Sequence, residues 1–186
     1  LMIQKEIDFF TKNLKALSAP VKVSGSLINF PSQDFIISEP YGNILMISPW
    51  NYPFQLSLTP LIGAIAAGNS VIIKPSEHTS ILGYLITKKF HEMGVPLEAL
   101  ELIIGDGAYG EALTKINPLN GVAFTGSLKT AKKIQNNLLK NQNQIVPLIA
   151  ETGGINAMIV DSSALLEQVT DDVIRSSFDS AGQRCS

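Results

Sequence analysis

The sequence predicts an α/β fold: an open, parallel, Rossmann-like sheet with helices on both faces. Three observations predict it. From Gly42 onward, short apolar runs rich in Val and Ile alternate with longer helical stretches. The short runs are continuously apolar, as expected of parallel strands covered on both faces. Their carboxyl ends carry turn-forming clusters: SPWN (48–51), KPSE (74–77), GDG (105–107), FTGS (124–127) and ETGG (151–154).

Taken in order, LMIQKEIDFFTKNLK places Ile3, Ile7, Phe10 and Leu14 at helical spacing and lacks the layout of a signal peptide. It reads as a helix already under way at the first residue. VKVSGSLINFPSQDFIISEPYG alternates and is broken by Gly25, Pro31 and Pro40, which predicts short extended segments on an edge or a protruding arm. Strands are then expected at NILMIS, SVIIK, LELIIG, GVAFTG, VPLIAE and NAMIVD. Helices are expected at FQLSLTPLIGAIAAG, TSILGYLITKKFHEMG, AYGEALTKI, LKTAKKIQNNLLKN and ALLEQVTDDVIRSSFDSAG. The expected organisation is an N-terminal helix and arm over 1–41, followed from 42 on by the alternating α/β pattern.

Composition narrows the function. With 186 residues, 45% hydrophobic and 16% charged content and a formal charge of −2, the chain has no basic excess to suggest a nucleic-acid partner. One cysteine makes no internal disulfide, and two histidines with one cysteine match no zinc spacing, so no metal site is expected. The longest apolar run, LTPLIGAIAAG, is too short to span a bilayer and contains Pro and Gly, so no membrane segment is expected and the cytoplasm is the expected compartment. The lysines around Lys129, Lys132, Lys133 and Lys140 read as a solvated helix face.

In an open parallel sheet, ligands gather at the carboxyl ends of the strands. The G-x-G-x-x-G and G-x-x-x-x-G-K-[ST] signatures are absent there. In GVAFTGS, Gly126 would let a phosphate approach the backbone and Ser127 could both cap the next helix and bond that phosphate, although capping alone also explains the pair. In VIIKPSE, Lys74 and Glu77 could grip the two hydroxyls of a ribose, or form a surface ion pair. In ISPWNYPF, Asn51 could donate to a developing oxyanion or simply shape a turn. Glu151 ends an apolar run before two glycines, where a desolvated carboxylate suits a general base, or a helix-capping acceptor. Cys185 could be a nucleophile if ionised, or a small buried hydrophobe. Neither His78 nor His91 has the context of a base for a thiol hydrolase.

Together these segments resemble the aldehyde dehydrogenase superfamily, in which SPWNYP, AAGNSVIIKPSE, FTGS, ETGG and GQRC occur in this order. The resemblance implies an incomplete nucleotide-binding domain over 42–184, the start of a missing catalytic domain at 185–186, and roles for the matching positions. Cys185 would attack an aldehyde to give a thiohemiacetal whose oxyanion is held by Asn51 and the Cys185 backbone amide. Glu151 would activate the water that hydrolyses the thioester. Lys74 and Glu77 would contact the adenosine ribose and Ser127 the pyrophosphate, with Gly126 and Trp50 beside the cofactor. NAD is the implied cofactor, with NADP possible. Many members have Gly where this chain has Ala131.

The resemblance divides along the chain. The stretch from KNLKAL to AIAAGN is most similar to class 3 enzymes acting on fatty or aromatic aldehydes. From HEMGVPLEALELIIGDG on, the chain resembles the Δ1-pyrroline-5-carboxylate dehydrogenase module of the proline utilisation A proteins, where Ala at position 131 and Ser after the cysteine are usual. Ser186 would then help hold a substrate carboxylate. The second half holds the residues beside the nucleophile, so glutamate 5-semialdehyde is the expected substrate, a medium-chain, long-chain or aromatic aldehyde the alternative. The expected full-length protein is a homo-oligomer, and the 186-residue chain alone is expected to be inactive; a truncated module that only binds nucleotide is the competing reading.

Overall fold

The computed structural model describes residues 2–185. Helix α1 (Met2–Leu17) leads into a two-stranded antiparallel hairpin, β1 (Val21–Val23) and β2 (Asp34–Ile36). Beyond it lie β3 (Asn43–Ile47), α2 (Pro53–Ala66), β4 (Ser70–Lys74), α3 (Ser80–Glu92), β5 (Leu100–Leu102), α4 (Gly107–Leu113), β6 (Gly121–Gly126), α5 (Leu128–Asn141), β7 (Leu148–Thr152) and α6 (Leu166–Phe178). The last five strands form one parallel sheet in the order β5-β4-β3-β6-β7. The expected α/β architecture is thus the observed one. The chain winds outward from β3 to one edge, then crosses back to β6, so the switch point lies between β3 and β6, where the doubly wound plan opens a crevice.

Strand periodicity divides the core. Ile44, Met46, Val71 and Ile73 face α2 and α3, where they pack with Leu58, Leu61, Ile86 and Leu100. Leu45, Val122 and Phe124 face the other way and pack with Leu113 of α4 and with Ala131, Ile134 and Leu138 of α5. Successive residues of β3 therefore serve opposite layers, and both layers are apolar, which is why the strand runs lack polar alternation. Helix α1 lies on α2, with Ile3 against the first cluster and Phe10 beside Gly63.

Turn chemistry fixes where the strands begin and end. Gly42 has φ +113°, and a Cβ there would stand 2.7 Å from the Asn120 Oδ1, so only glycine fits the entry to β3. That oxygen accepts from the Asn43 backbone N–H at 3.0 Å, tying the β3 entry to the β6 entry.

One expected strand is absent. NAMIVD forms no ladder, and Ile155, Ile159 and Val160 are exposed. β7 is the edge of the sheet, and a strand exists only where a neighbour accepts and donates its hydrogen bonds. The sheet is also covered unevenly: Ile149 on β7 is 65% exposed, and α6 buries no residue.

Candidate active site at the carboxyl edge of the sheet

The parallel register sorts the candidate residues onto two faces. Lys74 pairs with Ile47 and Ile47 with Phe124, so these side chains share the α4–α5 face. Glu151 pairs with Thr125, one residue on, so both face α2. Asn51 lies in the loop between β3 and α2. The residues expected to hold a nucleotide and the residue expected to act as base thus meet at one edge from opposite sides of the sheet.

On the α4–α5 face, Lys74 is buried, its stem running about a van der Waals contact from where a side chain on Gly110 of α4 would begin. Its Nζ lies 3.6 Å from the Glu77 Oε2, and Glu77 is about half exposed. The pair is not the surface ion pair of the alternative reading, since its lysine is enclosed. The Glu77 carboxyl is held below the usual glutamate value, first by hydrogen bonding to its own backbone N–H, against a small opposing desolvation, and then by the charges of Lys74 and His78. Ser76, also buried, accepts from the His78 N–H at 3.3 Å and shapes this turn.

Next to it, Ser127 caps α5: its Oγ accepts from the Thr130 N–H at 3.2 Å. The earlier amides of α5 have no acceptor within the helix and point out of its N-terminus, where an anion is favoured. Gly126 has a reason that sequence reading did not supply. A Cβ there would stand 2.5 Å from the Phe124 Cζ, so the buried Phe124 ring itself demands glycine. Ala131 is buried in the α5 core layer. These residues fit a dinucleotide: a buried lysine and a carboxylate at one strand end, and a capped helix N-terminus at another, with Trp50 half exposed beyond the end of β3.

On the other side, Asn51 donates from Nδ2 to the Gln183 carbonyl at 2.9 Å. The amide has a second N–H that this bond leaves over. The Tyr52 and Ser180 hydroxyls are also bonded to each other. Ser180, Ala181 and Gly182 have φ of 54°, 56° and 70°, a left-handed turn strained at its two non-glycine residues, and the Tyr52 and Asn51 bonds clasp it from either end. From the β7 side, Asn156 Nδ2 donates to the Cys185 carbonyl at 2.9 Å. The segment carrying Cys185 is therefore held between the Asn51 loop and the chain that follows Glu151.

Cys185 is exposed, so it is not the small buried hydrophobe of the alternative reading. Glu151 corrects an expectation: it is exposed, because β7 is an edge strand, so the desolvation anticipated for it is not found. A cavity of about 290 Å³ opens beside it, lined by Glu6, Gln55, Thr59 and Thr125 among others. Ser186 lies outside the described residues. Among the described residues no group of three or more His, Cys, Asp and Glu gathers to hold a metal, and no helix is long and apolar enough to cross a membrane. His91 is engaged through Nδ1 with the Val95 carbonyl at 2.8 Å, away from this edge. Sequence reading missed Asn156, Tyr52 and the buried serines 48 and 57. Only the Ser of SPWN lay in a marked cluster, and nothing in the pattern of α2 singles out Ser57.

The aldehyde dehydrogenase family profile matches residues 3–186. This chain belongs to the aldehyde dehydrogenase family. Among its relatives, the bifunctional protein PutA of Klebsiella aerogenes is 49% identical over 151 residues, covering 79% of this chain and 12% of that protein. The 4,4′-diaponeurosporen-aldehyde dehydrogenase of Staphylococcus aureus is 38% identical over 182 residues, 97% of this chain and 38% of the relative. The chain therefore spans well under half the length of these aldehyde dehydrogenase relatives. Among solved structures, proline utilization A with proline bound in remote sites superposes with a TM-score of 0.90 at 42% identity, over 96% of this chain and 18% of that one. PnpE in complex with nicotinamide adenine dinucleotide superposes with a TM-score of 0.86 at 27% identity, over 95% of this chain and 35% of the other. Of these relatives PutA is the more similar in identity, and its structural match extends over nearly the whole chain.

Proposed function

We propose that this chain supplies the cofactor site and reacting side chains of an NAD(P)-dependent aldehyde dehydrogenase that oxidises glutamate 5-semialdehyde to glutamate. The observation that carries this reading is the convergence of three separate segments: Asn51 on Gln183, Asn156 on Cys185, and Glu151 at the end of the strand leading to Asn156. The identity to PutA favours the substrate, and Ser186, beside the nucleophile, would meet its carboxylate. The aldehyde dehydrogenase from Staphylococcus aureus, aligned over nearly the whole chain, keeps a hydrophobic aldehyde as the second reading.

In this reading the Cys185 thiolate attacks the aldehyde carbon, and the carbonyl oxygen becomes an alkoxide. The free N–H of Asn51 and the Cys185 amide hold that charge. NAD(P)+, when bound, would accept the hydride that leaves this carbon as the alkoxide collapses to a carbonyl; Lys74 and Glu77 would hold its ribose, and Ser127 with the α5 N-terminus its pyrophosphate. Carbon becomes a thioester on Cys185. Glu151 takes a proton from a water drawn from the adjoining cavity, the hydroxide displaces the thiolate, and the acid leaves. The ionised Glu77 accepts from a free 2′-hydroxyl and repels a 2′-phosphate, which favours NAD+. The hairpin of β1 and β2, with Leu27, Ile28 and Phe30 each more than four-fifths exposed, serves as an oligomerisation arm. The same reading divides the chain at 41/42 and 184/185.

The test compares aldehydes on the full-length protein by NAD(P)H formation. A preference for glutamate 5-semialdehyde is expected; a preference for a hydrophobic aldehyde lacking a carboxylate would overturn the substrate.

A further inference from the structure

The Asn51 loop is rooted in a buried polar pair within an otherwise apolar layer. Ser57 of α2 donates to the Ser48 Oγ at 2.8 Å, and the two residues are 2% and 3% exposed. Ser48 stands immediately after β3, and its backbone N–H donates to the Lys74 carbonyl at 3.2 Å, extending the β3–β4 ladder by one residue. One end of the loop is thereby fixed to the sheet through its backbone and to α2 through its side chain. The other end is fixed by the Leu56 N–H on the Tyr52 carbonyl at 2.9 Å. Between these anchors stand Pro49, Trp50 and Asn51. Two apolar residues of the same size would fill this space without the desolvation of two hydroxyls. A hydroxyl pair does what they would not: it sets the loop root at one hydrogen-bond length and direction from the helix.

We infer that Ser48 and Ser57 are positioning residues that hold the Asn51 amide on the oxyanion of the substrate. This rests on the oxyanion role proposed for Asn51. A side chain that donates to a developing charge acts only within a narrow range of distance and angle, so a loosened root weakens it without touching the nucleophile.

The test is made on the full-length protein with no cofactor, acylation and alkylation of Cys185 being followed by mass spectrometry on the peptide that carries it. When the Cys185 thiolate attacks p-nitrophenyl acetate, the carbonyl oxygen becomes an oxyanion, then p-nitrophenolate leaves and an acetyl thioester remains. When the same thiolate attacks iodoacetamide, iodide leaves in one displacement and no oxyanion forms. The ratio of the two rate constants reports oxyanion support independently of thiol ionisation and exposure. Asn51→Ala should lower this ratio about tenfold. The single changes Ser48→Ala and Ser57→Ala each leave a hydroxyl buried without its partner and should lower Tm by several degrees. The double variant S48A/S57A removes both hydroxyls and should recover most of that Tm, yet keep the ratio lowered about threefold or more. A double variant with the wild-type ratio, beside an Asn51→Ala variant that has lost it, overturns the positioning role alone. An Asn51→Ala variant with an unchanged ratio overturns the oxyanion reading and the positioning role with it.

Discussion

The proposed function gives single side chains at the carboxyl edge distinct and separable tasks. Glu151 is assigned to hydrolysis of the thioester and not to its formation. In Glu151→Gln, acetylation of Cys185 by p-nitrophenyl acetate should keep its rate while release of acetate slows about tenfold or more, read as a burst followed by a depressed steady state. Glu77 carries a pH dependence whose sign follows from its lowered pKa. Its carboxylate favours the fold fully above the ordinary glutamate value of 4.5, and that contribution is lost as pH falls through the lower folded value. Because Glu77 is about half exposed, the effect is small. Thermal unfolding followed from about pH 7 to about pH 3 should show wild type and Glu77→Gln converging only at the acid end. Calorimetric titration should find NAD+ preferred over NADP+ in wild type, and the preference reduced in Glu77→Gln.

Among the elements, β6 and α5 show what the sequence made legible and what it hid. The run GVAFTG, its glycine and the capping serine read directly as strand, turn and helix start, because each of those signals is local. The ring of Phe124 over Gly126 could not be read: residues two apart on a strand share a face, but which of them closes over the backbone depends on α5 packing behind it. Gly126→Ala should therefore destabilise by roughly 1–3 kcal/mol through overpacking alone, with no ligand present, seen as a lowered Tm. Residues 156–161 teach the opposite lesson. NAMIVD has strand composition, but β-structure is a property of pairs, and no described neighbour offers it a ladder. The expected burial of Glu151 failed for the same reason. Its burial was inferred from the apolar residues before it, whereas exposure at an edge strand is set by what lies alongside.

Across the whole molecule, the order of motifs placed the candidate residues at one edge before any contact was visible, since the doubly wound plan sends every strand end to that edge. What order could not give was the division of that edge by the sheet, with Lys74 beneath α4 and Glu151 toward α2, which follows from register. Nor could it give the clasp of Tyr52 and Asn51 on the left-handed turn before Cys185. With Cys185 and Glu151 both exposed to water, the 186-residue chain should oxidise aldehydes far more slowly than intact family members, because an oxyanion donor is worth most where solvent is excluded. The exposed hairpin should drive association, so sedimentation should detect species larger than a monomer, and replacing Leu27, Ile28 and Phe30 with Ser should shift the distribution toward monomer. The most direct test of the central claim is mass spectrometry of the full-length Glu151→Gln protein after incubation with NAD+ and glutamate 5-semialdehyde. An acyl group retained on the peptide containing Cys185 is the predicted result. Continued oxidation of the aldehyde with that peptide unmodified, or with the acyl group on another residue, would contradict it.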